Sequence, residues 1–235
     1  MKKAVLAALV GTLTLAIGAT AARADTFVFL NTTAINVPDV SQASPYPSQI
    51  SISGLTGSVT TASVALSDVS HVNARDFDIL LVGPQNQTVL LMSNACQGQA
   101  LSHASLTFSP NAAAPLPEST ACASGTYLPS VYNTGGCDGA GLPSPAPPGP
   151  YGTSLSALAG AAPNGAWRLF VVDTCPSDGG TIGGGWALTL DGPQSPAKAT
   201  ATKKKCKKKK SGKKSADSKS KKKKSCKKKK KKQEK

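Results

Sequence analysis

The 235-residue sequence has few of the residues on which hydrolytic catalysis depends. It contains only two histidines, His71 and His103, and neither is near a G-x-S-x-G sequence that would mark a serine nucleophile. No segment with the pattern of a separate Asp-His-Ser catalytic domain precedes the strand-rich part of the chain. We therefore expect a protein that is not an enzyme.

Long hydrophobic runs are also scarce. One apolar run, residues 4–19, follows two lysines and precedes an A-x-A cleavage pattern at residues 22–24. It is shorter than the about 20 residues that cross a bilayer, and no other run of that length follows. Residues 1–24 are predicted to be a signal peptide, with an uncleaved anchor as the alternative. The mature protein is then expected to begin at Asp25, to be secreted or extracellular, and to have no transmembrane segment.

Basic residues are nearly absent from the middle of the chain. Between Asp25 and Ala197, two bases, Arg75 and Arg168, stand against ten acids, a formal charge of −8. From Lys198 onward, 22 lysines stand against two acids, a formal charge of +20. The net charge of +15 therefore describes neither part of the molecule, and partners have to be considered for each part separately.

These shifts in composition divide the chain into five segments. Residues 1–24 are the signal peptide, 25–49 an N-terminal strand and a covering segment with three prolines, 50–192 a β-sandwich, 193–202 a linker, and 203–235 a lysine-rich tail. The predicted sandwich has the length of one ordinary domain.

Short strand patterns predict an all-β fold. The most informative one is residues 76–82, where a branched apolar run follows two carboxylates and ends at Gly83-Pro84, too short for a buried helix. Alternation places Asp76 and Asp78 on one face of this strand and Phe77 on the other. The remaining predicted strands are residues 26–30, 50–52, 58–66, 88–92, 106–108, 168–172 and 181–190. A turn of helix is predicted at residues 154–160, and residues 110–150 are expected to be mostly a loop across the sandwich.

Two ordered blocks carry a family resemblance. The first is His71, residues 76–81 and Gly83-Pro84; the second is residues 164–173 followed by residues 179–190. The second block is similar to a family pattern of N-G-x-W-x-L-x-V-x-D, an acidic loop and G-x-I-x-x-W-x-L. Together the blocks resemble the P domain (Homo B domain) of subtilisin-like proprotein convertases.

The resemblance covers roughly residues 50–190. It implies an eight-stranded jelly-roll β-sandwich of the galactose-binding-like type, which in the family usually follows a subtilisin-type catalytic domain. It also implies an association with serine-type endopeptidases and proteolysis, which comes from the resemblance alone and from no residue of this chain.

Four cysteines in the predicted sandwich indicate two disulfides, since the number is even and the compartment is expected to be oxidising. Three connectivities are possible. We favour Cys96–Cys122, which flanks one short strand, and Cys137–Cys175, which ties the long loop to the acidic loop. Zinc is the alternative, but no C-x-x-C pair or nearby histidine supports it.

Calcium is the one cofactor for which the sequence offers ligands. Four acids supply hard oxygen atoms, and a jelly roll would bring the start of the central strand near the last acidic loop. These acids are Asp76, Asp78, Asp173 and Asp178. There is no D-x-D-x-D-G loop, and acids at strand ends are often solvated or cap turns. Ion pairs of Arg75 with Asp76 and of Arg168 with Asp173 are the alternative.

The tail is the strongest signal outside the sandwich, with lysine at 21 of its 33 positions. Like-charge repulsion and the lack of apolar residues predict disorder when it is free. We expect it to bind an anionic surface polymer, acidic lipid or nucleic acid, with solubilisation alone as the alternative. Without aromatic residues it is not expected to stack on bases. The expected polyanion-binding residues are Lys203, Lys204, Lys205, Lys207, Lys208, Lys221, Lys222, Lys227 and Lys228.

Two further cysteines, Cys206 and Cys226, lie among these lysines, which favour the reactive thiolate. Pairing with each other, pairing between chains and carrying an attachment all remain open for them. As a whole the sequence supports two hypotheses. One is a secreted, non-catalytic sandwich that its tail holds to an anionic partner, such as a cell surface; the other is an accessory module of a separate subtilisin-like protease.

Overall fold

The computed structural model describes residues 25–133, 137 and 141–195. The predicted signal peptide, the end of the linker and the lysine-rich tail with its two cysteines lie outside these residues. The described chain is almost entirely strand and loop. Its strands are β1 (Thr26–Asn31), β2 (Ile35–Val37), β3 (Ser48–Ile52), β4 (Thr61–His71), β5 (Phe77–Val82), β6 (Thr88–Ser93), β7 (Leu101–Phe108), β8 (Gly125–Tyr127), β9 (Ser130–Val131), β10 (Gly165–Asp173), β11 (Gly180–Ile182) and β12 (Trp186–Asp191). Single 3-10 turns lie at Ala74–Asp76 and Leu155–Leu158.

Eight of these strands form a jelly-roll β-sandwich. One sheet has the antiparallel order β1-β12-β4-β7, and the other has the order β3-β10-β5-β6. Successive strands of this set change sheet at every step except from β5 to β6, which is the connectivity of a jelly roll. Strands β2, β8, β9 and β11 extend the two sheets at their margins. The predicted all-β class is confirmed.

Strand β5 is buried along its whole length, as its sequence predicts. Phe77, Ile79 and Leu81 face the main core between the sheets, which also contains both tryptophans. Leu80 and Val82 face a second, smaller cluster on the outer side of the sheet. The long proline-rich segment covers that outer face through Leu142, which belongs to the same cluster.

The segment 25–49 is more than a cover, because its strands belong to the sandwich sheets. Strand β1 pairs with β12 along its whole length, and β2 pairs with β11. Strand β3 begins at Ser48, earlier than predicted, and the indole N–H of Trp186 donates to the Ser48 hydroxyl oxygen at 2.9 Å. A buried tryptophan therefore has its polar group satisfied from this segment.

Several strand boundaries differ from the prediction; β7, for example, begins at Leu101 and not at residue 106, and β10 begins at Gly165 and not at residue 168. Two of the differences have local reasons. Strand β4 continues to His71, because a bulge near Asp68, with φ of 59°, lets the strand pass the polar residues that break its alternation. The predicted strand 181–190 is two strands, β11 and β12, separated by a glycine turn. At Gly185 the backbone has a φ of +69°, and a Cβ there would collide with the Asn31 carbonyl oxygen.

The disulfides are Cys96–Cys122 and Cys137–Cys175, the pairing that the sequence favoured. The first ties the connection between β6 and β7 to the long segment that follows β7. The second joins that segment to the loop after β10. Within the described residues, no helix is both long and apolar enough to cross a bilayer.

Candidate functional site

Four chain segments meet at one end of the sandwich and bring together a histidine and three carboxylates. Strand β4 ends at His71, and the turn at Ala74–Asp76 leads into β5. Strand β10 ends at Asp173, directly opposite Phe77 of β5. Residues 174–179, which we call the acidic loop, carry Asp178 and lead into β11, whose Gly180 pairs with His71. We call His71, Asp76, Asp173 and Asp178 the polar cluster.

The imidazole of His71 is held from both sides. Its Nε2 lies 2.9 Å from Oδ2 of Asp173, and neither side chain has any exposed surface. The backbone N–H of Asn73 donates to Nδ1 at 3.1 Å. Because a backbone N–H only donates, Nδ1 is the acceptor; Nε2 therefore carries the proton and donates it to Asp173. His71 is in this arrangement a neutral imidazole of defined tautomer.

Asp178 faces the same ring from the acidic loop. Its Oδ1 lies 3.6 Å from Nδ1 of His71, and its side chain is 16% exposed. This oxygen is buried and has no hydrogen-bond partner among the described residues. Two acceptor atoms, Nδ1 and Oδ1, therefore face one another without a donor between them.

Asp76 completes the polar cluster beside the ring. The Asn73 side-chain amide donates to both carboxylate oxygens, at 3.1 and 2.9 Å, and Arg75 Nε is 4.0 Å from Oδ1. Burial raises the pKa of Asp76 to about 6, and the charges of Asp178 and Asp173 add to the rise. The excess of carboxylates makes this end of the sandwich a region of negative potential.

Burial also raises the pKa of the Asp173 carboxyl, while the hydrogen bond from His71 and the backbone N–H of Cys175 oppose that rise. The Cys175 N–H donates to Oδ1 of Asp173 at 3.1 Å. Each oxygen of Asp173 therefore has one donor. Its role in the cluster is to fix the imidazole.

Glycine and phenylalanine shape the space around the ring. A Cβ at Gly180 would collide with Cδ2 of His71 and would lie 2.5 Å from the Phe77 ring and 2.6 Å from the Ser70 carbonyl oxygen. The Phe77 and His71 rings meet edge to face with centroids 4.3 Å apart. Only glycine leaves room for both rings at this position.

An open cavity of about 620 Å³ lies beside the strand end that carries His71. Residues from four strands, β2, β4, β7 and β11, and from the acidic loop contribute to its lining. Among them are Asn36, Ser70, His71, Leu101, Ser102 and Thr181. The cavity therefore adjoins His71, the one cluster member in its lining, while the imidazole itself has no exposed surface.

The predicted calcium ligands do not all lie together. Asp76, Asp173 and Asp178 are close enough for their charges to raise the Asp76 pKa. Asp78 pairs with Val172 and shares the outer face of β5 with Leu80 and Val82, whereas Asp173 pairs with Phe77 on the core side. The structure thus separates Asp78 from the other three. Calcium binding at the remaining carboxylates stays a prediction.

One of the two ion pairs considered as an alternative to calcium, Arg168 with Asp173, is absent from the described residues, and that prediction is wrong. Arg168 lies near the other end of β10, opposite Val82, and its guanidinium donates to the Asn86 side-chain oxygen at 2.7 Å. The pair of Arg75 with Asp76 is present at 4.0 Å. Sequence spacing alone could not tell which arginine would reach the cluster.

A second histidine–carboxylate pair lies at the surface and was not expected. His103 Nδ1 is 2.6 Å from Asp68 Oδ1, and the two side chains are 79% and 48% exposed. Both residues have left-handed backbones, with φ of 52° and 59°, at the bulged part of the β4–β7 pairing. This pair therefore provides an exposed histidine–carboxylate contact with which the buried contact of His71 and Asp173 can be compared.

No protein-family model matches the chain, and no curated protein matches its sequence. Among solved structures, the chain is similar to the serine protease of Aeromonas sobria, at 16% identity and a TM-score of 0.32, over 72% of this chain and 26% of that one. It is also similar to a chain in the complex of that protease with the chaperone ORF2, at 15% identity and a TM-score of 0.33, over 73% and 26%. This chain thus spans about a quarter of the structures that it matches.

Proposed function

We propose that the protein is a secreted, non-catalytic, P-domain-like β-sandwich that its lysine-rich tail holds to anionic surfaces. The observation that carries the proposal is the separation of charge, −8 between residues 25 and 197 and +20 from residue 198 onward. A polyanion attracts the second part and repels the first. The tail is then the adhesive element, and the sandwich is what it presents. The two disulfides support an oxidising, extracellular location.

The resemblance to P domains is supported by where its residues fall. The first block contributes His71 and strand β5, and the second contributes β10, β11 and β12. The ends of β5, β10 and β11 meet at the polar cluster, whereas β12 pairs with the first part of β4, at residues 61–66.

The two hydrogen bonds made by the His71 ring support the proposal that the protein is non-catalytic. A general base needs a ring nitrogen within hydrogen-bond reach of the group it deprotonates. In His71, Nε2 donates to Asp173 and Nδ1 accepts from the Asn73 backbone, so both nitrogens are engaged. His103 is bound to Asp68 at an exposed surface.

The tail proposal is tested by removing residues 198–235 and measuring retention on a phosphate-rich matrix. Lysines bind phosphates mainly by releasing counterions, so binding by the full chain should weaken steeply with salt. If six to ten phosphates are neutralised, affinity should fall about a thousand-fold or more between 50 and 200 mM salt. The truncated chain should not be retained, and its melting temperature should be unchanged.

A matched control keeps the length of the tail and changes only its charge. Replacing the nine lysines expected to bind with glutamine should weaken retention and lower its salt dependence. If the truncated chain is retained as strongly as the full chain, adhesion belongs to the sandwich and the tail proposal fails.

The second candidate function is an accessory module of a separate subtilisin-like protease. The two ordered sequence blocks favour it, since P domains in that family accompany such a protease in the same chain. Here the sandwich would dock in trans. A pull-down of secreted material with the tail-truncated chain should recover a subtilisin-type protease; recovery only with the tail present would instead indicate capture by charge.

A further inference from the structure

Around His71 the polar cluster holds more negative charge than its neighbours neutralise. Asp76, Asp173 and Asp178 surround a neutral imidazole, and Arg75, 4.0 Å from Asp76, is the cation in contact with them. The other arginine of the described residues, Arg168, is bound to Asn86. Buried charges without partners are costly, and proteins compensate for them with a counter-ion, a proton or a metal.

The gap between Nδ1 of His71 and Oδ1 of Asp178 is suited to a cation. Both are acceptors, they face one another at 3.6 Å, and the oxygen has no donor among the described residues. An N–H···O hydrogen bond spans about 2.7–3.2 Å, so a shared proton would leave this gap too long. Two ligands on a tetrahedral ion with bonds of about 2.1 Å lie about 3.4 Å apart, which is close to the observed gap.

We propose that His71 and Asp178 hold a divalent transition-metal ion of the zinc class between them, with Asp173 orienting the imidazole. Ligand atoms of these three residues all lie within 4.8 Å of one another. Asp173 accepts the Nε2 proton of His71 at 2.9 Å, an arrangement that fixes the tautomer of a metal-binding histidine and leaves Nδ1 for the ion.

The imidazole decides the class of metal. Calcium takes six to eight oxygen ligands at about 2.3–2.6 Å, whereas imidazole nitrogen suits zinc, copper, iron and nickel. One carboxylate oxygen and one ring nitrogen with water in the other positions give a mixed set of the second kind. The Asp178 side chain is 16% exposed, so an ion can reach the cluster from solvent on that side.

One contact competes with the ion. The Asn73 backbone N–H donates to the same Nδ1 at 3.1 Å, so metal binding has to displace this hydrogen bond. The displacement lowers affinity but also supplies a direct readout. The amide resonance of Asn73 and the Nδ1 resonance of His71 should both shift when zinc binds, and they report on this site alone.

The test uses the full mature chain with Cys206→Ser and Cys226→Ser, because thiolates in the tail bind zinc themselves. After chelator treatment and removal of the chelator, zinc chloride is titrated by calorimetry. We expect one zinc ion per chain, a raised melting temperature, and no displacement by an equal concentration of calcium. Asp178→Asn should lower the affinity at least about tenfold, the order of effect that ligand and orienting residues have.

Asp68→Asn is the matched control, since it alters the surface pair with His103 and leaves the cluster intact. It should bind zinc as the parent does. The proposal is overturned if Asp178→Asn binds as tightly as the parent, if Asp68→Asn loses binding, or if calcium displaces zinc. Should Asp178→Asn fail to fold, the parent still decides: zinc binding that leaves the Asn73 and His71 resonances unmoved also overturns it.

Discussion

At the scale of single residues, Gly180 is the position where the polar cluster tolerates least change. Gly180→Ala should destabilise the fold by about 2 kcal/mol, the middle of the range for forcing extra atoms into a packed core. Its Cβ would meet the Phe77 ring and the Ser70 carbonyl oxygen, neither of which can move freely. Chemical denaturation of the two proteins measures the difference.

The control for Gly180 is another glycine that is close to a neighbour. A Cβ at Gly83 would lie 2.7 Å from the side-chain oxygen of Gln87, which is the end of a flexible chain and can turn away. Gly83→Ala should therefore cost clearly less. Equal losses for both variants would show that strand geometry, rather than the crowding at His71, determines the effect.

Asp191 predicts a pH dependence away from the cluster. The Thr26 hydroxyl donates to its Oδ1 at 2.6 Å and the Thr61 hydroxyl donates to its Oδ2, and these bonds lower the pKa of the carboxyl. A lowered pKa means that the ionised form stabilises the fold above about pH 4, the ordinary value for aspartate. That contribution is lost as the pH falls through the lowered pKa.

Asp191→Asn should therefore be less stable than the parent at pH 7 by about 1 kcal/mol, the usual net value of such a hydrogen bond. The difference should shrink between pH 5 and pH 3 as the parent carboxyl takes up its proton. Urea midpoints at these pH values measure it. Thr61→Val, which removes one donor, should show a smaller loss with the same trend; a difference that grows in acid would contradict the argument.

Residue-level prediction from the sequence reached the members of the cluster but not their contacts. Three of the four predicted calcium ligands do lie near one another, and the resemblance includes His71. Alternation put Asp76 and Asp78 on one face, but Asp76 lies in the 3-10 turn before β5, where alternation does not apply. The tautomer of His71 depends on the Asn73 backbone, and no side-chain pattern indicates a backbone donor.

At the scale of elements, the disulfides hold the segments with the least regular structure. Cys96–Cys122 closes 26 residues and Cys137–Cys175 closes 38. Replacing either pair with serine should lower the free energy of unfolding by about 2–4 kcal/mol. By loop entropy alone the two losses should differ by only about 0.3 kcal/mol, since the effect grows with the logarithm of loop length.

The comparison between the two double variants also tests that account. Replacement by serine adds the cost of burying a hydroxyl in both pairs, but more at Cys96, which is completely buried, than at Cys175, which is 7% exposed. The Cys96 and Cys122 variant should then lose more than the other, by denaturant titration. A larger loss for Cys137 and Cys175 would indicate that the long loop depends on its disulfide more than the strands do.

The prediction of strands succeeded where burial imposes a clear residue pattern, and it failed for strands too short to show a pattern. Strand β5, buried on both faces, was found within one residue, and its hairpin with β6 through residues 85–87 is present. Strands β8 and β9 lie within the predicted loop 110–150, because strands of three and two residues leave no periodicity. β2 was missed for the same reason.

At the scale of the whole molecule, composition separated an acidic part from a basic one before any fold was known. The jelly roll itself was implied by a resemblance in two sequence blocks, and the observed strand order agrees with it. Periodicity alone predicted an all-β domain but could not assign strands to sheets. That assignment depends on contacts between distant segments, such as β3 with β10, which local patterns do not encode.

The pairing of the first strand with the last has a consequence for how this domain can be combined with others. Thr26, where the chain enters the sandwich, lies opposite Asp191, where the last strand ends. Their Cα atoms are therefore within the about 4.5–5.5 Å that separates facing residues in antiparallel strands. Such a domain can be spliced into a surface loop of a host protein without stretching that loop. It can equally be circularly permuted, with a short bridge joining the old ends and new ones opened elsewhere. The sandwich is in this sense modular, because it can be joined to other domains at more than one position in a chain.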